Sequence, residues 1–110
     1  MLTYVKLNEI LERFYRYEWD ETKNIGNAKK HKGLHLAHGI KVFLDKSRII
    51  LEDKRFSYGE CRYVAIGKVN ESILSVCFTP RAFLKRRLIS VRVASRKERR
   101  KYYGNDSYDS

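Results

Sequence analysis

The segment from Arg87 to Val93 constrains the fold most, because it predicts a strand whose two faces differ in chemistry. Apolar and polar side chains alternate along it with the period of two that a strand produces. One face would be buried, and the other would form the wall of an anion-binding cleft. We predict that the first face carries Ile89, Val91 and Val93 and that the second carries Leu88, Ser90 and Arg92.

A basic helix is predicted directly after this strand, over residues 96–103. Ser95 and Glu98 have the spacing of a capping box, in which each side chain accepts a hydrogen bond from the other residue's backbone, and Gly104 is a typical helix end. Ten Arg or Lys residues and one acid, Glu98, occupy the chain from Arg81 to Lys101. That density of positive charge indicates a polyanionic partner.

The overall charge favours the same class of partner. The 110 residues include 24 Lys or Arg and 13 Asp or Glu, which gives a formal net charge of +11. Nucleic acid or the ribosome is the first partner that this charge indicates, and an anionic membrane surface is the second. No apolar run approaches the roughly 20 residues of a membrane span, and no signal peptide is recognisable, so we expect a cytoplasmic protein.

The cysteines and histidines predict neither a metal site nor a cofactor. Cys61 and Cys77 lack metal-ligand spacing and are expected to be small, reduced side chains in strands. His31, His35 and His38 are close in sequence, but a glycine is expected to break the helix between the first two, and no Cys or carboxylate joins them.

The remaining pattern predicts an α+β fold with the order β-α-α, then an antiparallel four-stranded meander and a C-terminal helix. Asp20 is the expected cap of the first helix. We place an N-terminal helical extension at residues 1–16, one domain at residues 17–103 and a flexible tail at residues 104–110. Within the domain we predict a short strand at 17–20, helices at 21–32 and 36–44, and strands at 48–53, 61–69, 72–79 and 87–93.

One stripe of the first helix is polar. By the three-and-four spacing of a helix it contains Lys23, Asn27, Lys30 and His31. Two interpretations remain open at this point, a solvated surface and a surface that faces a substrate.

Three ordered blocks carry a pattern that is specific to one family. They are Tyr17-Glu18-Trp19-Asp20 with Lys23, Asn27, Lys30-His31 and Gly33; Tyr58-Gly59-Glu60 with Arg62-Tyr63-Val64 and Ile66-Gly67; and Arg87-Leu88-Ile89-Ser90 with Arg92, Ala94-Ser95, Glu98-Arg99 and Tyr102. Together they resemble the BrnT toxins, the ribonuclease half of type II toxin–antitoxin modules. The resemblance covers residues 17–103.

This resemblance implies a RelE-like fold, in which helices pack against one side of a curved antiparallel sheet. It also implies an endoribonuclease that cleaves RNA and so arrests translation, with mRNA, either free or on the ribosome, as the expected substrate. The implied partner is a ribbon-helix-helix antitoxin of the BrnA type, which neutralises the toxin in a hetero-oligomer.

Metal-independent RNA cleavage needs a base for the 2′-hydroxyl proton, positive charge around the phosphate and an acid for the departing 5′-oxygen. Arginine suits the phosphate, whereas His31, Glu60, Tyr63 or a lysine of lowered pKa remain for proton transfer, and His31 titrates nearest to neutral pH. The predicted catalytic residues are His31, Lys23, Glu60, Arg62, Arg81 and Arg92, the predicted RNA-binding residues are Arg87, Ser90, Thr79 and Lys30, and no cofactor or metal ligand is predicted.

Some of these side chains have structural alternatives. Glu60 is as suited to hold Arg62 in an ion pair as to move a proton, and Thr79 and Ser90 are as suited to cross-strand hydrogen bonds as to phosphate. For the whole chain, the alternative function is a non-catalytic basic module that binds RNA or a protein partner. It would bind in a salt-sensitive way without cleaving.

Overall fold

The computed structural model describes residues 9–54 and 59–104. Predictions for residues 1–8, for the polar connection at 55–58 and for the tail at 105–110 lie outside this part. The strands are β1 (Arg16–Glu18), β2 (Ile49–Glu52), β3 (Tyr63–Val69), β4 (Ser72–Arg81) and β5 (Lys85–Val93); the helices are α1 (Glu21–Lys30), a 3₁₀ helix (Leu36–Leu44) and α2 (Arg96–Tyr102). Residues 9–12 are also helical.

The predicted α+β architecture is confirmed. The strands form one five-stranded sheet with the order β1-β5-β4-β3-β2. β2 to β5 are an antiparallel meander, as predicted, and β1 pairs in parallel with the first residues of β5. Asn70 lies in the hairpin turn between β3 and β4 and has a φ of 56°.

The main core lies between the 3₁₀ helix and one face of the sheet. The segment predicted as a helix has the expected bounds but 3₁₀ geometry, and its Leu36, Val42 and Phe43 are fully buried. A Cβ on Gly39 would approach Val91 Cγ2 to 2.9 Å, so glycine is what allows this helix to lie so close to the sheet. The buried strand residues of this core are Ala65, Leu74, Val76, Phe78, Leu88 and Val91.

α1 is shorter than predicted. It ends at Lys30, because Lys32 (φ 54°) and Gly33 (φ 85°) both adopt left-handed backbone conformations. The Gly33 N–H donates to Ala28 O at 2.7 Å, which closes the helix end. His31 is consequently the C-cap residue of α1.

β5 contains a β-bulge that its alternating sequence does not reveal. The register with β4 passes from Leu88 to Ser90 and skips Ile89. The predicted division of faces is therefore wrong at Leu88, which is only 2% exposed and belongs to the main core. Val93 keeps its predicted face, as the partner of the core residue Leu74, but it is 56% exposed at the end of the strand. An extra residue in one strand reverses the alternation beyond it, so residues an odd number apart can share a face.

α2 covers one end of the opposite sheet face. Ile66, Ile73 and Ala94 form a smaller apolar cluster there, and Tyr102 packs against it. The Tyr102 hydroxyl donates to Asp45 Oδ2 at 2.6 Å, which fastens α2 to the chain that follows the 3₁₀ helix.

Both predicted helix caps are confirmed. Asp20 Oδ1 accepts from the Lys23 N–H at 3.1 Å. Ser95 Oγ accepts from the Glu98 N–H at 3.2 Å, and Glu98 Oε1 accepts from the Ser95 N–H at 2.9 Å. Among the described helices, none has both the length and the apolar character that crossing a membrane demands.

Candidate functional site

The sheet side opposite the 3₁₀ helix carries polar and basic side chains on β4 and β5. Cross-strand partners lie on the same face, and this face alternates with the core residues Val76 and Phe78. We call it the basic face; it consists of the pairs Ser75–Arg92, Cys77–Ser90, Thr79–Arg87 and Arg81–Lys85.

The bulge in β5 brings predicted site residues together on this face. Arg87 and Ser90 are three positions apart, so regular alternation would place them on opposite sides of the sheet. Because Ile89 is skipped, Arg87, Ser90 and Arg92 all pair with basic-face residues of β4. The predicted grouping of Ser90 with Arg92 is thus present, and Arg87 joins them.

Arg92 is held in a fixed orientation by Glu98. Its Nη1 and Nη2 donate to the two carboxylate oxygens at 2.6 and 2.9 Å, and Ser75 Oγ donates to the same carboxylate at 3.1 Å. Desolvation raises the pKa of Glu98, but hydrogen bonds from Arg92 and the Ser95 backbone outweigh it, so the pKa is lowered overall. The ionised carboxylate therefore orients the guanidinium, which keeps 35% side-chain exposure for a further anion.

His31 lies close enough to Arg92 to be affected by its charge. The position follows from α1, which runs along the edge of β5: Asn27 Nδ2 donates to Val91 O at 2.9 Å and Asn27 Oδ1 accepts from Val91 N at 3.0 Å. Desolvation, followed by the positive charges of Lys30 and Arg92, lowers the pKa of His31 below its ordinary value. A neutral imidazole within range of the Arg92 charge can accept a proton near neutral pH.

Glu60 bridges two predicted arginines at the other end of the face. Its carboxylate oxygens lie 3.4 Å from Arg62 Nε and 3.3 Å from Arg81 Nη1. Desolvation raises the pKa of Glu60, but the hydrogen bonds from Arg81 and Arg62 lower it by more. The pKa of Glu60 is therefore below its ordinary value. A carboxylate of lowered pKa is a weaker base, and the geometry favours the ion-pair alternative for Glu60 over proton transfer.

Thr79 and Arg87 have partners of their own. The Thr79 hydroxyl donates to Cys61 O at 2.6 Å, which is a structural hydrogen bond between β4 and the chain before β3. Arg87 Nη1 lies 2.7 Å from Glu18 Oε2, and Lys85 Nζ lies 3.9 Å from the other oxygen of the same carboxylate. Glu18 on β1 thus orients the basic side chains of β5 from the neighbouring strand.

The stripe predicted on α1 is not a single surface. Asn27 is buried and pairs with β5, whereas Lys23 and Lys30 are exposed at opposite ends of α1. Seven residues of helix separate the two lysines by roughly 10 Å. Lys30 neighbours His31, but Lys23 belongs to the first turn, away from the helix end that approaches Arg92.

Tyr63 belongs to the core and not to the site. It is the cross-strand partner of Phe78, and the two rings stack with their centroids 5.9 Å apart. Its side chain therefore faces the 3₁₀ helix, on the sheet side opposite the basic face. The candidate for proton transfer predicted at Tyr63 therefore lies across the sheet from Ser90 and Arg92.

A cleft of about 400 Å³ opens beside Arg92, between α2 and the edge of the sheet that β2 forms. Its basic lining residues are Arg92, Lys54, Lys97 and Lys101, its carboxylates are Glu52, Asp53 and Glu98, and Leu51, Val64 and Ser95 complete it. The cleft next to Arg92, a predicted phosphate-binding residue, therefore has one wall formed by α2.

Arg86 and Glu12 form a buried cluster that sequence reasoning missed. Arg86 is 6% exposed, contacts both carboxylate oxygens of Glu12 and donates to Tyr17 Oη at 2.9 Å. Burial raises the pKa of Tyr17 to about 12, and Arg48 Nη2 donates to Glu12 at 3.0 Å. Arg86 lies between two other basic residues, Lys85 and Arg87, and its side chain points to the opposite face of the sheet. Because the three residues are alike in sequence, the sequence did not indicate that Arg86 alone is buried.

His35 and His38 contact each other in a hydrogen bond that caps the 3₁₀ helix. His38 Nδ1 accepts from the His35 N–H at 2.9 Å at the start of the 3₁₀ helix. Across residues 9–54 and 59–104, no three His, Cys, Asp or Glu side chains gather as a set of metal ligands.

Comparison with known proteins identifies relatives of this chain. The family model described as "Ribonuclease toxin, BrnT, of type II toxin-antitoxin system" matches residues 19–98. Among solved structures, the Brucella abortus ribonuclease toxin BrnT is similar, with a TM-score of 0.59 and 32% sequence identity. The match covers 74% of this chain and 99% of that one. Among curated protein sequences, none matches this chain with significance.

Proposed function

The chain belongs to the BrnT family of type II toxin–antitoxin ribonuclease toxins, and from this premise we propose that it is a metal-independent endoribonuclease whose reaction takes place on the basic face. The observations that carry the proposal are the Arg92 guanidinium, which Glu98 orients, and the attachment of α1 to β5 through Asn27, which places His31 within range of the Arg92 charge. Positive charge for the phosphate and a base for the 2′-hydroxyl are the two groups that cleavage by the neighbouring hydroxyl requires.

In the proposed reaction, the RNA phosphate contacts Arg92, and His31 takes the proton of the adjacent 2′-hydroxyl. The 2′-oxygen forms a bond to phosphorus while the bond from phosphorus to the 5′-oxygen breaks. Solvent water protonates the departing oxygen, so the products are a 2′,3′-cyclic phosphate and a 5′-hydroxyl. Arg92 stabilises the dianionic phosphorane because its charge does not titrate.

The other predicted residues are proposed as phosphate contacts along the strand of RNA. Arg87, Arg81 and Arg62 lie at the end of the face beyond Ser90, each with a carboxylate partner that orients it. Lys30 and Lys23 extend positive charge along α1. Ser90 is the remaining basic-face hydroxyl candidate, since the Thr79 hydroxyl already donates to Cys61 O.

Substitution of Arg92 tests this proposal. Arg92→Ala should lower the rate of RNA cleavage by about 10²- to 10³-fold, the usual effect of removing one group that stabilises transition-state charge. Arg92→Lys should recover part of the rate, since it restores charge but not the planar fork. Arg99→Ala, which removes an exposed arginine of α2, is the matched control and should retain the rate.

The measurement is the single-turnover cleavage rate of a defined RNA by purified protein. Equal rates for Arg92→Ala and wild type would contradict the proposed role. RNA binding with no cleavage by the wild-type protein would instead support the alternative, a non-catalytic binding module.

We also propose that a ribbon-helix-helix antitoxin of the BrnA type neutralises this protein and that it acts on mRNA in the cytoplasm. Membership of a toxin–antitoxin family supports an antitoxin partner, and the net charge of +11 suits both an acidic protein segment and RNA. Co-expression with the product of the adjacent short reading frame should relieve growth arrest. Persistent arrest despite stable expression of that product would contradict this pairing.

A further inference from the structure

The turn between β4 and β5 exposes an aromatic side chain on a strained backbone. Residues 82–84 connect the two strands, and Phe83 (φ 61°) and Leu84 (φ 54°) both adopt the left-handed conformation. Glycine or asparagine normally occupies such positions, because a larger side chain is strained there. Phe83 is nevertheless 87% exposed, so burial does not offset the strain.

Three basic residues form a row directly below this turn. Arg81 on β4 pairs with Lys85 on β5, and Lys85 pairs with Arg16 on β1, so one residue from each of three adjacent strands lies in line. Neighbouring strands are about 5 Å apart, and like charges at cross-strand positions repel one another. Two carboxylates offset part of this repulsion, at 3.3 Å from Arg81 and 3.9 Å from Lys85.

This row is continuous with the candidate site. Arg81 and Lys85 are the last pair of the basic face, and the next pair along the strands is Thr79–Arg87. From Lys85 to Arg92 the strand extends by about 20 Å. An RNA strand whose phosphate lies at Arg92 can therefore reach the turn with a different nucleotide.

We propose that the turn at Phe83 is a base-stacking platform for single-stranded RNA, which holds a nucleotide outside the cleaved linkage while Arg16, Lys85 and Arg81 contact its phosphates. This inference rests on the proposed function, because it assigns a second contact region for the same substrate. An exposed aromatic ring beside a line of cations combines the two elements with which proteins bind single strands. The cations favour a polyanion over an apolar protein surface as the occupant.

The test measures the affinity of the full chain for a single-stranded 2′-O-methyl RNA by fluorescence anisotropy at several salt concentrations. Such RNA cannot be cleaved through its 2′-oxygen, so binding is measured separately from catalysis. Phe83→Ala should weaken binding roughly 5- to 100-fold at every salt concentration, with an unchanged salt slope. Phe83→Trp should retain the wild-type affinity, because it keeps an aromatic face.

Arg16→Ala should behave differently, since it removes charge. We expect the slope of log affinity against log salt to become shallower by about 0.7 for one lost phosphate contact. Leu44→Ala is the matched control: Leu44 is also an exposed apolar side chain, but it lies near Lys68, by the opposite end of β4. Its affinity and salt slope should equal those of the wild type.

Wild-type affinity for Phe83→Ala would overturn the inference, and so would a loss of antitoxin binding with RNA binding unchanged, because the turn would then dock a protein. If Phe83→Ala fails to fold, Phe83→Asn decides the question, since asparagine tolerates the left-handed conformation. If the wild-type protein binds but does not cleave RNA, the proposed reaction fails while the stacking inference is still judged by Phe83→Ala.

Discussion

Asn27 pairs with both backbone groups of Val91, so a single side-chain amide takes the place of a neighbouring strand there. A second amide, Asn24 Oδ1, accepts from the Leu36 N–H at 2.6 Å and ties α1 to the 3₁₀ helix. Buried amides that are fully hydrogen-bonded fix an orientation better than apolar contacts do. The location of His31, four residues after Asn27, follows from this attachment.

The lowered pKa of His31 leads to a prediction about the pH dependence of cleavage. Because desolvation and the charges of Lys30 and Arg92 lower this pKa, the imidazole is neutral at pH 7 and becomes protonated only as the pH falls below about 6.5. The cleavage rate should therefore be constant above pH 7 and should decrease on the acid side.

His31→Ala should lower the cleavage rate roughly 10²- to 10⁴-fold, and the decrease of the rate at acid pH, the acid limb of the profile, should disappear. The measurement is a pH–rate profile between pH 5 and 8 for both proteins. His38→Ala is the matched control and should keep the wild-type profile. An acid limb that persists in His31→Ala would assign the titration to another group.

At the level of elements, alternation and turn residues predicted the sheet but not its bulge. The strands and the caps at Asp20 and Ser95 followed from short-range patterns. The extra residue Ile89 did not, because a bulge leaves the composition of a strand unchanged and reverses only its facing. That reversal moved Leu88 into the core and brought Arg87 to the side of Ser90 and Arg92.

The N-terminal segment is joined to the sheet by buried charge. The Glu12 side chain is 10% exposed, and its carboxylate contacts Arg86, Arg48 and Tyr17. The division of the chain at residue 16 stays a prediction, but Glu12 shows that residues before it contribute to the packing of the sheet. Sequence could not reveal this, since ion pairs between distant residues leave no local pattern.

Glu12→Ala should lower the free energy of unfolding by about 3–5 kcal/mol, because it leaves Arg86 buried without its carboxylate partner. Glu9→Ala is the matched control: its ion pair with Lys46 is exposed and 3.8 Å long, so its loss should cost at most about 0.5 kcal/mol. Urea denaturation measures both. A loss below about 1 kcal/mol for Glu12→Ala would contradict the structural role of the cluster.

For the whole molecule, charge predicted the class of partner but not the positions of the charges. A net charge of +11 and the basic segment from Arg81 onward indicated a polyanion. The structure distributes those residues among different roles: Arg86 stabilises the core, Arg92 is oriented by Glu98, and Arg81 shares Glu60 with Arg62. Such roles depend on strand parity and on distant carboxylates, which no local pattern encodes.

The most direct test of the account is the chemistry of the RNA ends produced by the purified protein in excess EDTA. We predict cleavage at the same rate as in Mg²⁺, with 2′,3′-cyclic phosphate or 3′-phosphate ends and 5′-hydroxyl ends, and loss of these products in Arg92→Ala. Cleavage that depends on added Mg²⁺, or that leaves 5′-phosphate ends, would contradict a reaction driven by Arg92 and His31.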